Sequence, residues 1–282
     1  MDVQLFTEKY DPNNLINLGK LTNDELVDIL AMNVIFDTEE FIAFNKPYNI
    51  PYSGSKPNRI QIDRVLQEVK KRICPTVPRF YLAESLDRAA SGVLLFAKTK
   101  EQQKVFQESL ASEHVGHRFR CLVRGIPEEE TATIAIPLHK MMNGKDVKML
   151  PAIKKTSGKV YHLKTKYRLV NQNRVASVSV LDVFVPNASL HQIRSHLAFG
   201  VNCPLVGEQK YNPNELDKNI ALSNRALKPL GFQAKNYRKI PMFIHLAETL
   251  IPKENKTQFS VVKAPMPTYF LNALKSLSLL KK

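Results

Sequence analysis

Residues 85–99 read Ser-Leu-Asp-Arg-Ala-Ala-Ser-Gly-Val-Leu-Leu-Phe-Ala-Lys-Thr, a polar turn placed directly before a short apolar run. Residues 80–83 ahead of the turn have a strand-like pattern, and residues 92–97 form a compact apolar strand. Thr99 then predicts the start of a helix. The pattern therefore predicts that Asp87 lies in a loop between two strands that have no helix between them.

The patterning on either side of this stretch predicts a chain in which strands outnumber helices. Strands are predicted at residues 34–36, 41–44, 80–83, 92–97, 119–123, 161–169 and 176–185, and helices at 21–30, 62–73, 99–110, 191–199 and 271–280. Residues 131–159 follow neither period, although Asn143-Gly144 is a turn signal. Because strands often follow one another directly, the fold class expected is α+β, with a mixed and mostly antiparallel sheet flanked by helices.

The charge balance points to a polyanionic partner. The 282 residues include 41 Lys and Arg against 26 Asp and Glu, a formal net charge of +15. Such a surplus favours binding to phosphates through counterion release, although a protein of mitochondria or ribosomes can be basic for other reasons. The apolar runs are too short to span a bilayer, so we expect a soluble or peripheral protein.

The cysteines and the first residues bear on the compartment. Cys74, Cys121 and Cys203 lie far apart, which suits a reducing environment and argues against disulfides or a thiolate zinc site. The first residues carry acids and do not form a recognisable signal or transit peptide. If the protein is organellar, we expect this sequence to be a processed form.

Three further segments hold residue types that can carry chemistry. Residues 41–47 read Phe-Ile-Ala-Phe-Asn-Lys-Pro, and residues 118–125 read Arg-Phe-Arg-Cys-Leu-Val-Arg-Gly. Residues 191–197 read His-Gln-Ile-Arg-Ser-His-Leu, with Pro-Leu-Val-Gly-Glu-Gln-Lys-Tyr at 204–211. His191, His196 and His245 do not have the spacing of metal ligands, so no metal is expected.

Taken in order, the four segments resemble the RluA-like pseudouridine synthases. Residues 85–99 are similar to the family's Arg-Leu-Asp-Arg/Lys-x-Thr-Ser-Gly-Leu-Leu-Leu-x-Ala-Lys-Thr, and residues 191–197 to its His-Gln-Ile-Arg-x-His-Leu. The resemblance implies a pseudouridine synthase catalytic domain at residues 34–282, with a central RNA-binding cleft, preceded by an extension with a short helix at residues 1–33. The N-terminal helix and the late Ala-Pro-Met-Pro-Thr-Tyr-Phe segment look most similar to the mitochondrial members, which implies a mitochondrial location.

The resemblance also implies the roles of individual residues. Asp87 matches the family's catalytic aspartate, Arg194 the arginine that pairs with it, and Phe119 the position where a tyrosine usually lies against the base. We expect six further residues to bind substrate: Arg88, Lys98, Arg118, Arg120, His191 and Gln192. Lys164, Lys166 and Arg168 alternate with apolar residues on one strand and are further candidates for RNA backbone contacts.

One carboxylate is enough for the implied reaction. The uracil that leaves C1′ through N1 is the same molecule that returns through C5, so no water has to be activated and the second carboxylate of a glycosidase is not needed. Asp87 would act as a nucleophile at C1′ or as a base at C2′, and sequence does not separate these routes. The expected partner is RNA, namely rRNA, mRNA or tRNA, with the mitochondrial ribosome or its assembly intermediates as further candidates, and no cofactor is implied.

Three departures from the family pattern keep an alternative open. Glu84-Ser85 replaces the usual His-Arg, Phe119 replaces tyrosine, and Ser189-Leu190 replaces Arg-Thr. The scaffold could therefore be retained as an RNA-binding factor in mitochondrial ribosome assembly with weak or no catalysis, since fold does not guarantee function. A general basic RNA chaperone would not require the ordered motifs.

Overall fold

The computed structural model describes residues 21–56, 59–111, 116–144, 146–152, 158–187, 189–212, 222–253 and 258–280. Most of the extension expected at residues 1–33 therefore lies outside the described residues. The chain divides into two compact units. Unit 1 consists of Met1–Gly116 and His245–Tyr269, and unit 2 of His117–Ile244 and Phe270–Lys282.

The described elements follow one another with many direct strand-to-strand connections. The helices are α1 (Asn23–Met32), α2 (Ile62–Ile73), α3 (Lys100–Ala111), α4 (Gln192–Gly200), α5 (Asn224–Leu227) and α6 (Thr268–Ser276), with a 3₁₀ helix at Ala234–Lys239. The strands are β1 (Val34–Asp37), β2 (Phe41–Lys46), β3 (Tyr81–Glu84), β4 (Ser91–Ala97), β5 (His117–Arg124), β6 (Thr131–Ile134), β7 (Leu138–Asn143), β8 (Asp146–Pro151), β9 (Val160–Tyr161), β10 (Thr165–Asn173), β11 (Val178–Val185), β12 (Ile244–Pro252) and β13 (Phe259–Lys263). None of the described helices is both long and apolar enough to cross a bilayer.

Strand β4 is the centre of unit 1. It pairs antiparallel with β2 from Gly92 to Ala97 and with β3 at its C-terminal half, while its first two residues pair in parallel with β12. Every residue of β4 is buried, which explains its uninterrupted apolar sequence. Helices α1 and α2 cover one face, where Leu26, Val65 and Val69 pack against Phe44 and Phe96.

A single glycine allows the close approach of β12 to β4. Gly92 has φ of +115°, and a Cβ there would lie 2.1 Å from the carbonyl oxygen of Leu246. Only glycine has low energy in this conformation and leaves room for the neighbouring backbone. This constraint fixes the start of β4, immediately after the turn that carries Asp87.

Unit 2 contains an antiparallel sheet in the order β5–β11–β10–β6 and a second sheet in the order β8–β7–β9. Side chains alternate between the two faces of the first sheet. Phe119, Cys121, Tyr167 and Val183 are buried on one face, where α4 contacts β10 through Thr165. The other face carries Arg118, Arg120, Asp182, Lys166 and Arg168.

The predicted α+β class with a mostly antiparallel sheet is confirmed. The capping box between Thr22 and Glu25 forms as expected, with Thr22 N–H donating to Glu25 at 2.9 Å and Glu25 N–H to Thr22 at 3.2 Å. The strand predicted at residues 161–169 is interrupted, because β9 ends at Tyr161 and β10 begins at Thr165. Residues 131–159, which showed no period, contain the β7–β8 hairpin that turns at Asn143-Gly144.

Candidate active site

In unit 1, Asp87 lies in a tight turn between β3 and β4. Its Oδ1 accepts a hydrogen bond from Ala89 N–H at 3.1 Å, and its carbonyl oxygen accepts one from Ala90 N–H at 3.0 Å. The carboxylate thus folds back onto the backbone of its own turn, as Asp side chains commonly do. It is half-buried, so the turn fixes its position while leaving it accessible.

A buried lysine is hydrogen-bonded to the backbone of this turn. Lys46, the last residue of β2, is fully buried, and its Nζ donates to the carbonyl oxygens of Ala90 at 2.6 Å, Pro47 at 2.9 Å and Arg88 at 3.4 Å. These three bonds use all the donors of an ammonium group. Two of the acceptors, Arg88 and Ala90, follow Asp87 in the turn, so Lys46 fixes the backbone that presents the carboxylate.

The surroundings of Lys46 shift the pKa of its side-chain amine. Burial lowers the pKa of Lys46 from 10.5 to about 7, while the nearby Asp87 carboxylate acts in the opposite direction and Arg88 adds to the lowering. Lys46 is therefore both a mechanical support of the turn and an electrostatic neighbour of Asp87.

Residues beside Asp87 are fixed by other contacts of unit 1. The exposed Arg88 directs its Nε to Asn49 Oδ1 at 2.8 Å, and Asn49 itself has a positive φ of 62°. Ser91 Oγ lies 3.0 Å from Nδ1 of the buried His245, which joins β4 to β12. Both ends of the turn are thus tied to neighbouring segments.

The departure at Glu84-Ser85 has a local explanation. Glu84 is buried at the end of β3, and its Oε1 accepts a hydrogen bond from Ser85 N–H at 3.1 Å. Ser85 is exposed. The acid that replaces the family's usual residue therefore serves the backbone at the entrance to the turn.

In unit 2, Arg194 is held by a buried carboxylate on the other side of a short loop. Its Nε donates to Glu208 Oε2 at 2.7 Å and its Nη2 to Oε1 at 2.8 Å. Glu208 Oε1 also accepts the backbone N–H groups of Gln209 at 2.9 Å and Lys210 at 2.7 Å. The contact is bidentate and charge-assisted, and it fixes the plane of the guanidinium group.

Tyr211 joins Arg194 to the start of α4. The guanidinium carbon of Arg194 lies 5.3 Å from the centre of the Tyr211 ring, within cation–π range. The Tyr211 hydroxyl accepts the N–H of Met149 at 2.9 Å and lies 2.7 Å from His191 Nδ1. The Tyr211 hydroxyl therefore connects Met149 of β8 with His191 at the start of α4.

His191 and Gln192 open α4, and they have different exposures. His191 has a left-handed backbone, φ 52°, and is half-buried. Gln192 is almost fully buried, and its Nε2 donates to the carbonyl oxygen of Lys164 at 3.0 Å and to Thr165 Oγ1 at 2.9 Å. Gln192 thus holds the start of β10, whereas His191 lies nearer the surface.

Phe119 and its two neighbouring arginines lie on opposite faces of one sheet. Phe119 is 3% exposed on the face of α4, whereas Arg118 and Arg120 turn to the other face and donate to Asp182 Oδ1 at 3.0 and 2.8 Å. The family resemblance implied that all three residues belong to one substrate site. The geometry separates the aromatic ring from the two cations.

Lys98 is also distant from the Asp87 turn. It follows the C-terminal end of β4, seven residues after Ser91, a span of roughly 23 Å in an extended strand. Its Nζ lies 2.5 Å from Asp37 Oδ1. Unit 1 therefore brings Asp87 and Arg88 together with Lys46, while Lys98 lies at the other end of the strand.

Three residues that take part in these contacts were not predicted as site residues from the sequence: Lys46, Glu208 and Tyr211. Each lies inside a segment that carried the family resemblance, so the motifs contained a signal for them. Their roles depend on side-chain contacts with residues 14 to 44 positions away in sequence, which no local pattern reports.

Known proteins resemble this chain over most of its length. The model of the family described as RNA pseudouridylate synthase matches residues 40–199, a range that includes Lys46, Asp87, Phe119 and Arg194. Mitochondrial pseudouridylate synthase RPUSD4 of Bos taurus is 26% identical over 279 residues, covering 93% of this chain and 73% of the relative. The mitochondrial mRNA pseudouridine synthase Rpusd3 of Mus musculus is 24% identical over 292 residues, covering 94% and 83%. The solved structure of human RNA Pseudouridylate Synthase Domain Containing 4 has the same fold, with a TM-score of 0.76 at 23% identity, covering 91% of this chain and 97% of that one.

Proposed function

Since this chain belongs to the RNA pseudouridylate synthase family, we propose that it converts uridine to pseudouridine in RNA and that Asp87 is its catalytic carboxylate. One observation carries the proposal. The Asp87 carboxylate is fixed by Ala89 N–H within its turn, and the turn itself is fixed by the buried ammonium of Lys46. A carboxylate positioned before the substrate arrives avoids the cost of ordering it during the reaction.

The reaction needs no reagent beyond the substrate. The C1′–N1 bond breaks, the same uracil turns, and a C1′–C5 bond forms, while C5 loses a proton and N1 gains one. Asp87 acts either as a nucleophile at C1′ or as a base at C2′, and either route uses a single carboxylate. No cofactor or metal takes part in the proposed scheme.

Arg194 is the proposed partner of Asp87. Glu208 takes Nε and one Nη2 donor of the guanidinium group. An arginine has five N–H donors, and those of the opposite edge can engage a second carboxylate. In this scheme Glu208 orients the group, and Arg194 keeps Asp87 ionised and directed at the sugar.

Recognition of the uridine is divided among several residues. A base in structured RNA must leave its stack to react, and Phe119 supplies a ring for it to stack on. His191 is half-buried at the start of α4 and is assigned to hydrogen bonding with the substrate, and Gln192 supports it by holding the start of β10. Arg88, next to Asp87 in the turn, is assigned to a phosphate flanking the target. Lys98, at the far end of β4, and Arg118 and Arg120, on the face opposite Phe119, are assigned to phosphates farther along the RNA.

The cellular setting is inferred from similarity. RPUSD4 and Rpusd3 are named as mitochondrial proteins, and Rpusd3 as acting on mRNA. We therefore place this protein in mitochondria, with rRNA, mRNA or tRNA as substrate and the mitochondrial ribosome or its assembly intermediates as a partner. A catalytically silent assembly factor is not favoured, because it would have no need of the supports built around Asp87 and Arg194.

Mapping of pseudouridine in cellular RNA tests the proposal. Cells that lack the protein are complemented with the wild type, with Asp87→Asn, or with Asp24→Asn as a control that alters an exposed acid on α1. We expect one or more sites to lose pseudouridine without the protein and to regain it with the wild type and Asp24→Asn only. Purified Asp87→Asn should still bind RNA. Full modification by Asp87→Asn, or no change of any site on loss of the protein, would refute the assignment.

A further inference from the structure

The face of the unit 2 sheet opposite Phe119 carries a group of cations organised around one buried acid. Asp182, on β11, is 3% exposed in its side chain. Its Oδ1 accepts from Arg120 at 2.8 Å and from Arg118 at 3.0 Å, and its Oδ2 accepts from Arg168 at 3.0 Å. We name Arg118, Arg120, Lys166, Arg168, Asp182 and Phe184 the arginine face.

Strand register explains why these side chains share one face. Asp182 is directly opposite Arg120 on β5 and opposite Arg168 on β10. Residues directly opposite each other in an antiparallel pair project to the same side. The row Arg120–Asp182–Arg168 therefore crosses three strands, a width of roughly 10 Å.

A second row lies beside the first and contains an aromatic residue. Phe184 is directly opposite Arg118 on one side and Lys166 on the other. Phe184 is half-buried and Lys166 is exposed. An accessible ring between two cations matches the way that proteins bind single-stranded nucleic acid, with bases stacked on rings and phosphates held by basic side chains.

The arginine face carries more positive charge than its one buried acid, Asp182, can neutralise. The four cations of the arginine face and its one acid, Asp182, leave a surplus of three positive charges. Asp182 holds its arginines in place, which lowers the entropy that each would lose on binding an anion. The side chain of Arg168 is 60% exposed, so its remaining donors can be reached from solvent.

From these observations we propose that the arginine face docks a single-stranded segment of the RNA outside the reacting uridine, with a base stacked on Phe184 and phosphates on Lys166 and Arg168. The inference rests on the proposed function for the identity of the polyanion. It adds a second RNA contact, on the side of the sheet that Phe119 does not face. The two positions on β10 lie about 7 Å apart, a length that corresponds to roughly two phosphates of one strand.

Acidic residues limit the path of the RNA on one side. Glu128, Glu129 and Glu130 are exposed and precede β6, whose first residue, Thr131, is opposite Arg168. These carboxylates repel phosphates. The strand is therefore expected to run from Arg168 over Lys166 toward Lys164, away from the glutamates.

Binding measurements test the proposal independently of turnover. The affinity of the full chain for a uridine-containing single-stranded RNA is measured at several salt concentrations, for the wild type and for the double variant Lys166→Gln/Arg168→Gln. The matched control is Arg225→Gln/Lys228→Gln, which removes two exposed cations of unit 2 at α5. Thermal unfolding of each variant establishes that it is folded.

We expect the arginine-face double variant to weaken RNA binding by about tenfold and to reduce the slope of log affinity against log salt by roughly 1.4, about 0.7 for each lost phosphate contact. Phe184→Leu should weaken binding by a similar factor with an unchanged slope, because stacking involves no counterion release. The control should keep the wild-type affinity and slope.

Equal slopes and affinities for the double variant and the control would overturn the proposal. The proposal would also be overturned if Lys166 and Arg168 were required for binding to anionic lipid vesicles and the protein did not bind RNA. Failure of the proposed function is a separate result. If the wild type binds RNA through this face but forms no pseudouridine, the enzyme assignment fails while the docking surface stands.

Discussion

The ammonium of Lys46 lies 2.6 Å from the carbonyl oxygen of Ala90, three residues after Asp87 in the same turn. The two residues are 44 positions apart in sequence, and this bond joins the end of β2 to the turn before β4. A charged side chain that is fully buried is uncommon and usually has a partner that requires it. Here the partner is the backbone that carries the proposed catalytic acid.

Replacement of Lys46 by Met should slow catalysis more than it weakens RNA binding. Methionine is apolar and one atom shorter than lysine, so the variant leaves two or three carbonyl oxygens without their donor, at a cost of about 1–3 kcal/mol. A turn that shifts by about 1 Å would lower kcat on the order of tenfold to a hundredfold. Single-turnover formation of pseudouridine, compared with the RNA dissociation constant, measures the two effects.

Lys104→Met is the matched control for that prediction. Lys104 is on α3 with a side chain 79% exposed, so its loss should change neither rate nor binding. If Lys46→Met turned over at the control rate, the turn would not depend on Lys46.

The stability of the protein should also depend on pH through Lys46. Its folded-state pKa is about 7 against 10.5 for an ordinary lysine, so between these values the unfolded chain binds more protons than the folded one. The cost of burying the charge is therefore greatest below pH 7 and declines as the pH rises toward 10.5. The wild type should gain stability relative to Lys46→Met over this interval, by at most about 1.4 kcal/mol per pH unit.

Urea unfolding of both proteins between pH 7 and 10 measures this difference. Titrations that are common to the two chains cancel when their free energies of unfolding are subtracted. A difference that stays constant with pH would mean that the folded-state pKa of Lys46 is not lowered.

Local patterns were sufficient to predict most of the secondary structure. The Thr22–Glu25 capping box lies within four residues, and β10 alternates exposed Lys166 and Arg168 with buried Thr165 and Tyr167. Both signals are complete within a short window of sequence. The β7–β8 hairpin was missed because the outer part of β7 is exposed at every residue, so no buried period exists to be recognised.

The candidate site was predictable only in part. Resemblance to the family assigned roles to Asp87 and Arg194, and their local settings in a turn and a helix follow from sequence. The pairing of Arg194 with Glu208 depends on a loop closing across 14 positions, which hydrophobic periodicity does not encode. Side chains alternate along a strand, so the sequence already implied that Phe119 and Arg118 point to opposite faces. The family motif contains both residues and, taken alone, assigned them to one site.

Glu208→Gln should destabilise the protein by about 3–5 kcal/mol. The substitution leaves the buried guanidinium of Arg194, whose side chain is 8% exposed, without its opposite charge. Glu108→Gln on α3 is the control, because its side chain is 55% exposed and its ion pair is long, at 3.9 Å. That control should change the free energy of unfolding by less than about 0.5 kcal/mol. Urea unfolding compares the two, and equal losses would contradict a structural role for the Arg194–Glu208 pair.

Two substitutions at Phe119 should separate its role in substrate stacking from its role in the core. Phe119→Leu keeps apolar volume, so its cost in stability should stay below about 1.5 kcal/mol, but it removes the flat ring, and loss of one stacked base should lower turnover by about tenfold or more. Phe119→Tyr keeps the ring and should retain turnover, because the added hydroxyl restores the residue usual in the family. Phe41→Leu, a buried phenylalanine of β2 that packs on Phe106, is the control and should lose stability without loss of turnover. If Phe119→Leu matched Phe41→Leu in both measurements, Phe119 would be a core residue alone, and the flipped uracil would have to stack on another side chain.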